Sequence, residues 1–232
     1  MAQPNRNLFR VTRFILLKGP SILRFFRFGQ KFKKRILVIK ADAIGDYMLF
    51  RNFLEILRNS EKFQGYEIDL LGNTLWQDIA LKYDSRFIGN FLFTEPEKLY
   101  HAPLRVLRIG LKLFRNKYEI VLQPTYARTF MTDGLAGMAA AKQTIGFTGD
   151  AERIAEKYKT RTDKFFTEKL PLPPGLVFEF NRSKCFFEKV LGRQVELAGP
   201  SIPTVGTEKK ASSFSLVQEC RNAVGSHLSF WS

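Results

Sequence analysis

Lys40, Asp42, Gly45 and Asp46 fall within seven residues of one another in ILVIKADAIGDYMLF, positions 36–50. Five residues suited to a buried strand run into this polar loop, and an apolar stretch then resumes. A carboxylate fixed where a strand ends can take the proton of an attacking hydroxyl, an effect worth typically about 10²–10⁴-fold in rate. A nearby lysine can balance negative charge growing on a leaving group. Gly45 lets backbone approach a ligand or take a positive φ, and the N–H groups of a following helix favour an anion. The same residues also have a structural reading. Asp is a preferred N-cap, and Asp42 suits a loop that bonds its own backbone. Arg128, after a later strand, divides likewise between phosphate ligand and ordinary surface arginine. The residues alone leave these pairs open.

Other chemistries have less material. KADAIGD lacks the G-x-G-x-x-G spacing of dinucleotide sites, and no Gly-Lys-Ser/Thr follows it as in a phosphate-binding loop. Cys185 and Cys220 lie far apart, and His101 and His227 are the only histidines. That gives neither a metal-like spacing nor a disulfide framework, and a reducing cytosol is the default compartment. Neither a metal nor another cofactor is expected.

The elements that must position the loop alternate from residue 35 onward. Strands are expected at 36–40, 66–73, within 87–96, at 118–125 and at 142–147. Helices are expected at 46–59, 75–83, 102–117, 132–141 and 176–192, the last ending at Gly192. The 132–141 helix, TDGLAGMAAA, is rich in small residues and should pack closely. This rhythm predicts an α/β fold, a mostly parallel sheet wrapped by helices. The charged stretch from 150 to 169 has no clear assignment.

Charge is unevenly placed. The net charge is +15, and residues 1–40 hold eleven Lys or Arg with no Asp or Glu. Residues 1–34 therefore read as a basic amphipathic arm in which Phe, Leu and Ile interleave with cations. Its apolar runs are far short of the roughly 20 residues that span a bilayer, and no secretory signal is evident. Residues 6–35 suit an anionic membrane surface, or a solvated or locally packed arm. Basic charge also fits nucleic acid, but no nucleic-acid-binding signature accompanies it, and none is expected as a partner.

ILVIKADAIGDYMLFRNFLEILR (36–58) resembles the N-terminal signature of glycosyltransferase family 9, the heptosyltransferase-like enzymes. YEIVLQPTYARTFMTDGLAGMAAAKQTIGF (118–147) resembles a second segment of that family, and the likeness extends over roughly residues 35–195. The resemblance implies a GT-B architecture of two Rossmann-like domains, with the acceptor held by the N-terminal one and most of a nucleotide-sugar donor by the C-terminal one. It implies inverting transfer of a heptose or related sugar to a lipopolysaccharide-type, lipid-linked acceptor at the inner, cytoplasmic face of the membrane. No metal is required in that chemistry. On this likeness Asp46 is the counterpart of the general base. Lys40, Asp42, Ala43 and Gly45 then line the donor side, and Arg128 is a ligand for acceptor phosphate.

The resemblance covers only the N-terminal half of such an enzyme. ELAGPSIPTVG reads as a linker, and residues 196–232 lack the strand, glycine-rich loop and helix that would open a donor domain. The expectation is an acceptor-side domain at 35–195 followed by an irregular, truncated or out-of-frame tail. The alternative function is a non-catalytic Rossmann-like module that binds a membrane or a partner.

Overall fold

A computed structural model describes residues 6–201 apart from 28 and 198. Six strands form one sheet: β1 (Lys33–Lys40), β2 (Glu67–Asn73), β3 (Asn90–Thr94), β4 (Tyr118–Gln123), β5 (Gln143–Phe147) and β6 (Glu168–Leu170). All neighbouring pairs are parallel, in the order β3-β2-β1-β4-β5-β6. The sequence placed five of these strands and the α/β class correctly. β1 lies in the middle, and its ILVIK run is buried throughout, as a strand covered on both faces requires. The chain winds outward to one side from β1 through β2 to β3, and to the other from β4 through β5 to β6. The loops after β1 and β4 therefore diverge and leave a crevice at the carboxyl ends of these strands, the usual ligand position in open α/β sheets.

Helices cover both faces. On one lie α2 (Ile44–Phe50), α3 (Asn52–Arg58), α4 (Gln77–Tyr83) and α9 (Glu179–Leu191), around a core of Phe50, Phe53, Trp76 and Phe187. The expected 46–59 helix is thus two helices. The interruption is one residue long, because Arg51 keeps helical dihedrals and its N–H still bonds the Tyr47 carbonyl. α5 (Pro96–Leu99) and α8 (Glu156–Thr162) are short connectors, and β6 was not anticipated. α9 ends as expected at Gly192, whose φ of 72° is the left-handed conformation that glycine adopts without strain.

The opposite face carries α1 (Arg6–Arg27), α6 (Pro103–Arg115) and α7 (Phe130–Met138). Of the solvated and locally packed alternatives for the basic N-terminal stretch, the described residues show the packed one. Residues 6–27 are one helix that buries Thr12, Leu16, Pro20, Leu23 and Arg27, a stripe at three- and four-residue steps. It packs on α6 and α7. The small residues of α7 make room for it. A Cβ on Gly134 would lie 2.6 Å from Leu16, and one on Gly137 3.0 Å from Pro20. At its far end the Arg27 guanidinium bonds the Phe114 carbonyl and lies 4.0 Å over the Phe114 ring. None of the described helices is long and apolar enough to cross a membrane. The expected linker and tail lie, from residue 202 on, outside the described residues.

Leu16→Ala removes the side chain that meets α7 at a glycine. It should lower the unfolding free energy by about 2–5 kcal/mol, read by urea denaturation. A loss below about 0.5 kcal/mol would mean that α1 is a peripheral arm after all.

Candidate functional site

β1 ends on Lys40, whose side chain is fully buried. Its ammonium is 2.8 Å from Glu179 Oε1, at the start of α9, and 3.0 Å from Asp42 Oδ2 in the loop beyond β1. The same Asp42 oxygen accepts a 2.6 Å hydrogen bond from Thr125, in the loop after β4. This bond spans the point where the strand order diverges. Burial pulls the Lys40 ammonium down, but the charges of Asp42 and Glu179 outweigh it and the net direction is up. Burial likewise opposes ionisation of Asp42, yet Lys40 and the Thr125 hydroxyl hold its carboxyl below the usual range.

The loop backbone is fixed from the β2 side. Trp76 Nε1 donates to the Asp42 carbonyl at 3.1 Å, and Asn73 Nδ2 to the Ala41 carbonyl at 3.3 Å. Trp76 stacks on Tyr47 with ring centroids 3.7 Å apart. It crosses Gly72 so closely that a Cβ there would fall 2.0 Å from the indole. The Tyr47 hydroxyl donates to Asp84 at 2.6 Å, and Arg51 grips both oxygens of the same Asp84. Burial first, and then Asp84, push the Tyr47 phenol far above its ordinary value.

These contacts lock the residue that follows Asp46. The N-cap of α2 is Ala43, with no side-chain cap bond, and Asp46 stands three residues later in the first turn. The capping role considered for Asp46 is therefore not the one it plays. Its side chain is half-buried and makes no hydrogen bond or ion pair among the described residues. Gly45 does not have a positive φ, and a Cβ there would meet nothing within 4 Å. It is bare backbone facing open space.

Two sequence-picked cations have other partners. Lys40 neutralises the partly buried carboxylates of Asp42 and Glu179 and has no face on solvent. Arg128 is also fully buried. It binds both oxygens of Asp133, reaches Asp163 at 2.6 Å and donates to the Phe147 carbonyl at 2.9 Å. Burial works against its charge, and the two aspartates hold it on, so the net direction is up. Both arginine readings made from the sequence, phosphate ligand and surface residue, give way to a buried brace among the loops after β4 and β5, α7 and the turn after α8.

A cavity of about 620 Å³ opens beside this framework at the carboxyl ends of β1 to β3. Asp42 and Ala43 contribute to its wall; Asp46 does not, lying one turn further along α2. The sequence did not point to other polar residues of the wall, among them Asn73, Glu95, Tyr100, Thr132 and Arg153. Asn73 closes β2 and Glu95 directly follows β3, the one signal that could have found either. Arg153 is exposed and makes no ion pair or hydrogen bond among the described residues, although its charge adds to the field that keeps Asp42 ionised. Among the described residues no cluster of three or more His, Cys, Asp or Glu could hold a metal ion.

No protein-family model and no curated protein matches the sequence. Solved structures do match the fold. A glycosyl transferase family 9 protein from Veillonella parvula DSM 2008 aligns with a TM-score of 0.57 and 19% identity, over 75% of this chain and 46% of that one. The E. coli heptosyltransferase WaaC with ADP aligns at 0.50 and 15%, over 71% and 50%. The same enzyme with ADP-2-deoxy-2-fluoro heptose aligns at 0.51 and 13%, over 74% and 50%. The chain thus has the fold of part of these proteins, as the resemblance implied, and spans about half their length.

The buried triad makes a pH-dependent prediction. Asp42, held below its ordinary range, contributes stability above about pH 4 that is lost as pH falls through its folded value. Lys40, held above its ordinary range, contributes stability below about pH 10 that is lost as pH rises through its folded value. Lys40→Met leaves two buried carboxylates without a cation and should cost about 3–5 kcal/mol near pH 7. That deficit should shrink toward pH 4, as protonation removes the uncompensated charge. Urea titrations across this range read it; a deficit independent of pH would contradict the assignment.

Proposed function

We propose that this chain forms the acceptor side of an inverting sugar-transfer site of the heptosyltransferase type. The observation that carries this is Asp46, an unpaired carboxylate locked one turn into the helix after β1, at the divergence point of a sheet shaped like those glycosyltransferases. An acceptor hydroxyl loses its proton to the Asp46 carboxylate as its oxygen bonds the anomeric carbon. The bond from that carbon to the diphosphate breaks, and the nucleoside diphosphate leaves with the electron pair. The similar WaaC structures are of that enzyme with ADP and with ADP-2-deoxy-2-fluoro heptose, which supports a nucleotide-sugar donor here. The cavity beside Asp42 and Ala43 offers amide, carboxylate, hydroxyl and aromatic groups, the mixture that binds polyols. With Arg128 occupied, Arg153 is the cation free to meet an anionic group on a lipid-linked glycan acceptor. On this reading the protein works at the cytoplasmic face of the membrane that carries such acceptors, which the basic character of α1 supports.

Nucleoside-diphosphate release from an ADP-sugar, in the presence of a lipid-linked glycan acceptor, tests the reading. Asp46→Asn should lower turnover by about 10²–10⁴-fold. The melting temperature should barely move, because a first-turn charge contributes only about 0.3–1 kcal/mol. Unchanged turnover in that variant would sink the proposal. Arg153→Gln should raise KM for the acceptor by about ten-fold, the equivalent of about 1.4 kcal/mol, and leave kcat in place. An unchanged KM would remove Arg153 from the site.

A further inference from the structure

The outer face of α1 runs against the usual pattern of a packed helix. With Leu16 and its neighbours in the core, the opposite side should be polar. Instead Val11, Phe14, Lys18, Ile22 and Phe25 recur there at three- and four-residue steps, with Phe14 63% and Phe25 77% exposed. Beside the second half of this stripe is an open cavity of about 1170 Å³ between α1 and the turn following α8. The apolar part of its wall is Leu17, Pro20 and Phe165, with Phe25 and the 61% exposed Phe26 beside them. Four cations stand around it: Lys18 and Arg24 from α1, Arg161 from α8, and Lys164 just beyond. Among the described residues no acidic one lines it. None of the four has a carboxylate partner among the described residues; Arg24 bonds only the Phe165 carbonyl, at 3.1 Å. Lys40, Arg51 and Arg128 are consumed by aspartates and glutamates, whereas these four, gathered around a single hollow, are left to meet an anion from outside.

We propose that this surface is a binding site for an anionic phospholipid, and that it seats α1 flat on the bilayer. Phe14, Ile22 and Phe25 enter the acyl boundary, as the apolar face of an interfacial helix does. Lys18, Arg24, Arg161 and Lys164 surround the headgroup phosphate, and the hollow at Phe25 and Phe26 takes part of an acyl chain. The combination of charge and apolar depth selects a lipid over a free phosphate, which would use only the rim, and over a nucleic acid, which would leave the phenylalanines in water. This deepens the membrane placement above and is independent of the chemistry at Asp46.

Sedimentation of the full chain with vesicles tests it, using phosphatidylcholine alone against an equimolar mixture with phosphatidylglycerol. Binding should require the anionic lipid. Each basic residue near such a surface is worth about five-fold in partition, so the Lys18→Gln, Arg161→Gln, Lys164→Gln triple variant should weaken binding on the order of a hundred-fold. Phe25→Ala with Phe26→Ala should weaken it about ten-fold or more. All these side chains are exposed, and unchanged circular dichroism confirms folding. Asp46→Asn should bind vesicles like the parent chain, which separates this result from failure of the catalytic reading. The proposal is overturned by equal binding to both vesicle types, or by undiminished binding of the triple variant. It is also overturned by release of the chain with glycerol phosphate, or by a dimer that dissociates on the phenylalanine substitutions without vesicle binding. Capture by an oligonucleotide in place of vesicles would do the same.

Discussion

An ammonium group with no access to water cannot stand alone, and Lys40 at the end of β1 is such a group. Its burial costs several kcal/mol unless carboxylates approach within contact distance. Glu179 and Asp42 do, and that requirement organises everything around them. Glu179 draws the start of α9 onto the sheet, and the phenylalanines behind it then fill the face beneath, with Phe53 and Phe187 stacked at 5.3 Å. Asp42 draws the loop after β1 inward, where the hydroxyl of Thr125 ties it to the loop after β4. A residue picked for chemistry turns out to be the post on which both loops hang.

The consequence for function is a division of labour among carboxylates. Asp42 is spent on Lys40, Asp84 on Arg51 and Tyr47, Asp133 and Asp163 on Arg128. Asp46, in the first turn of α2, makes no ion pair or hydrogen bond among the described residues. Fixing neighbours while leaving one group uncommitted is what a positioned base needs, since orientation supplies much of the gain and each lost contact loosens it. Arg128 and Lys40 thus serve the site by holding its loops, at opposite sides of the crevice.

Much of the fold was legible because β1, β2 and β4 are nearly unbroken apolar runs and the helices between them keep a clear period. What failed did so for physical reasons. β6 has three residues, with only Leu170 buried, too little for any periodicity to register. α1 hid its inner face because Thr12, Pro20 and Arg27 belong to that face, and a composition weighted toward cations reads as a solvated arm. Lys40 and Arg128 could be picked as cations, yet their burial depends on Glu179 and Asp163, which are 139 and 35 residues away in sequence. Pairings of that range leave no local trace. The cavity wall is scattered for the same reason, its residues drawn from the end of β2, the segments after β3 and β5, and the start of α7.

The two proposed surfaces meet through α1. At 22 residues the helix is about 33 Å long, and its ends have different neighbours. Near its start Phe9 packs against Tyr100 with ring centroids 6.0 Å apart, and Tyr100 lines the polar cavity. Near its close Phe25 and Phe26 border the basic hollow. A helix lying on a bilayer along the outer stripe would therefore bring the cavity rim to the lipid surface at one end while the cations grip headgroups at the other. An acceptor rooted in that bilayer would need to rise only past Phe9 and Tyr100 to place a hydroxyl near the β1 loop. Burial of the Leu16 stripe fixes α1 on α7, so in the proposed arrangement the distance from lipid to the Asp46 carboxylate would be set by that packing and not by a flexible tether.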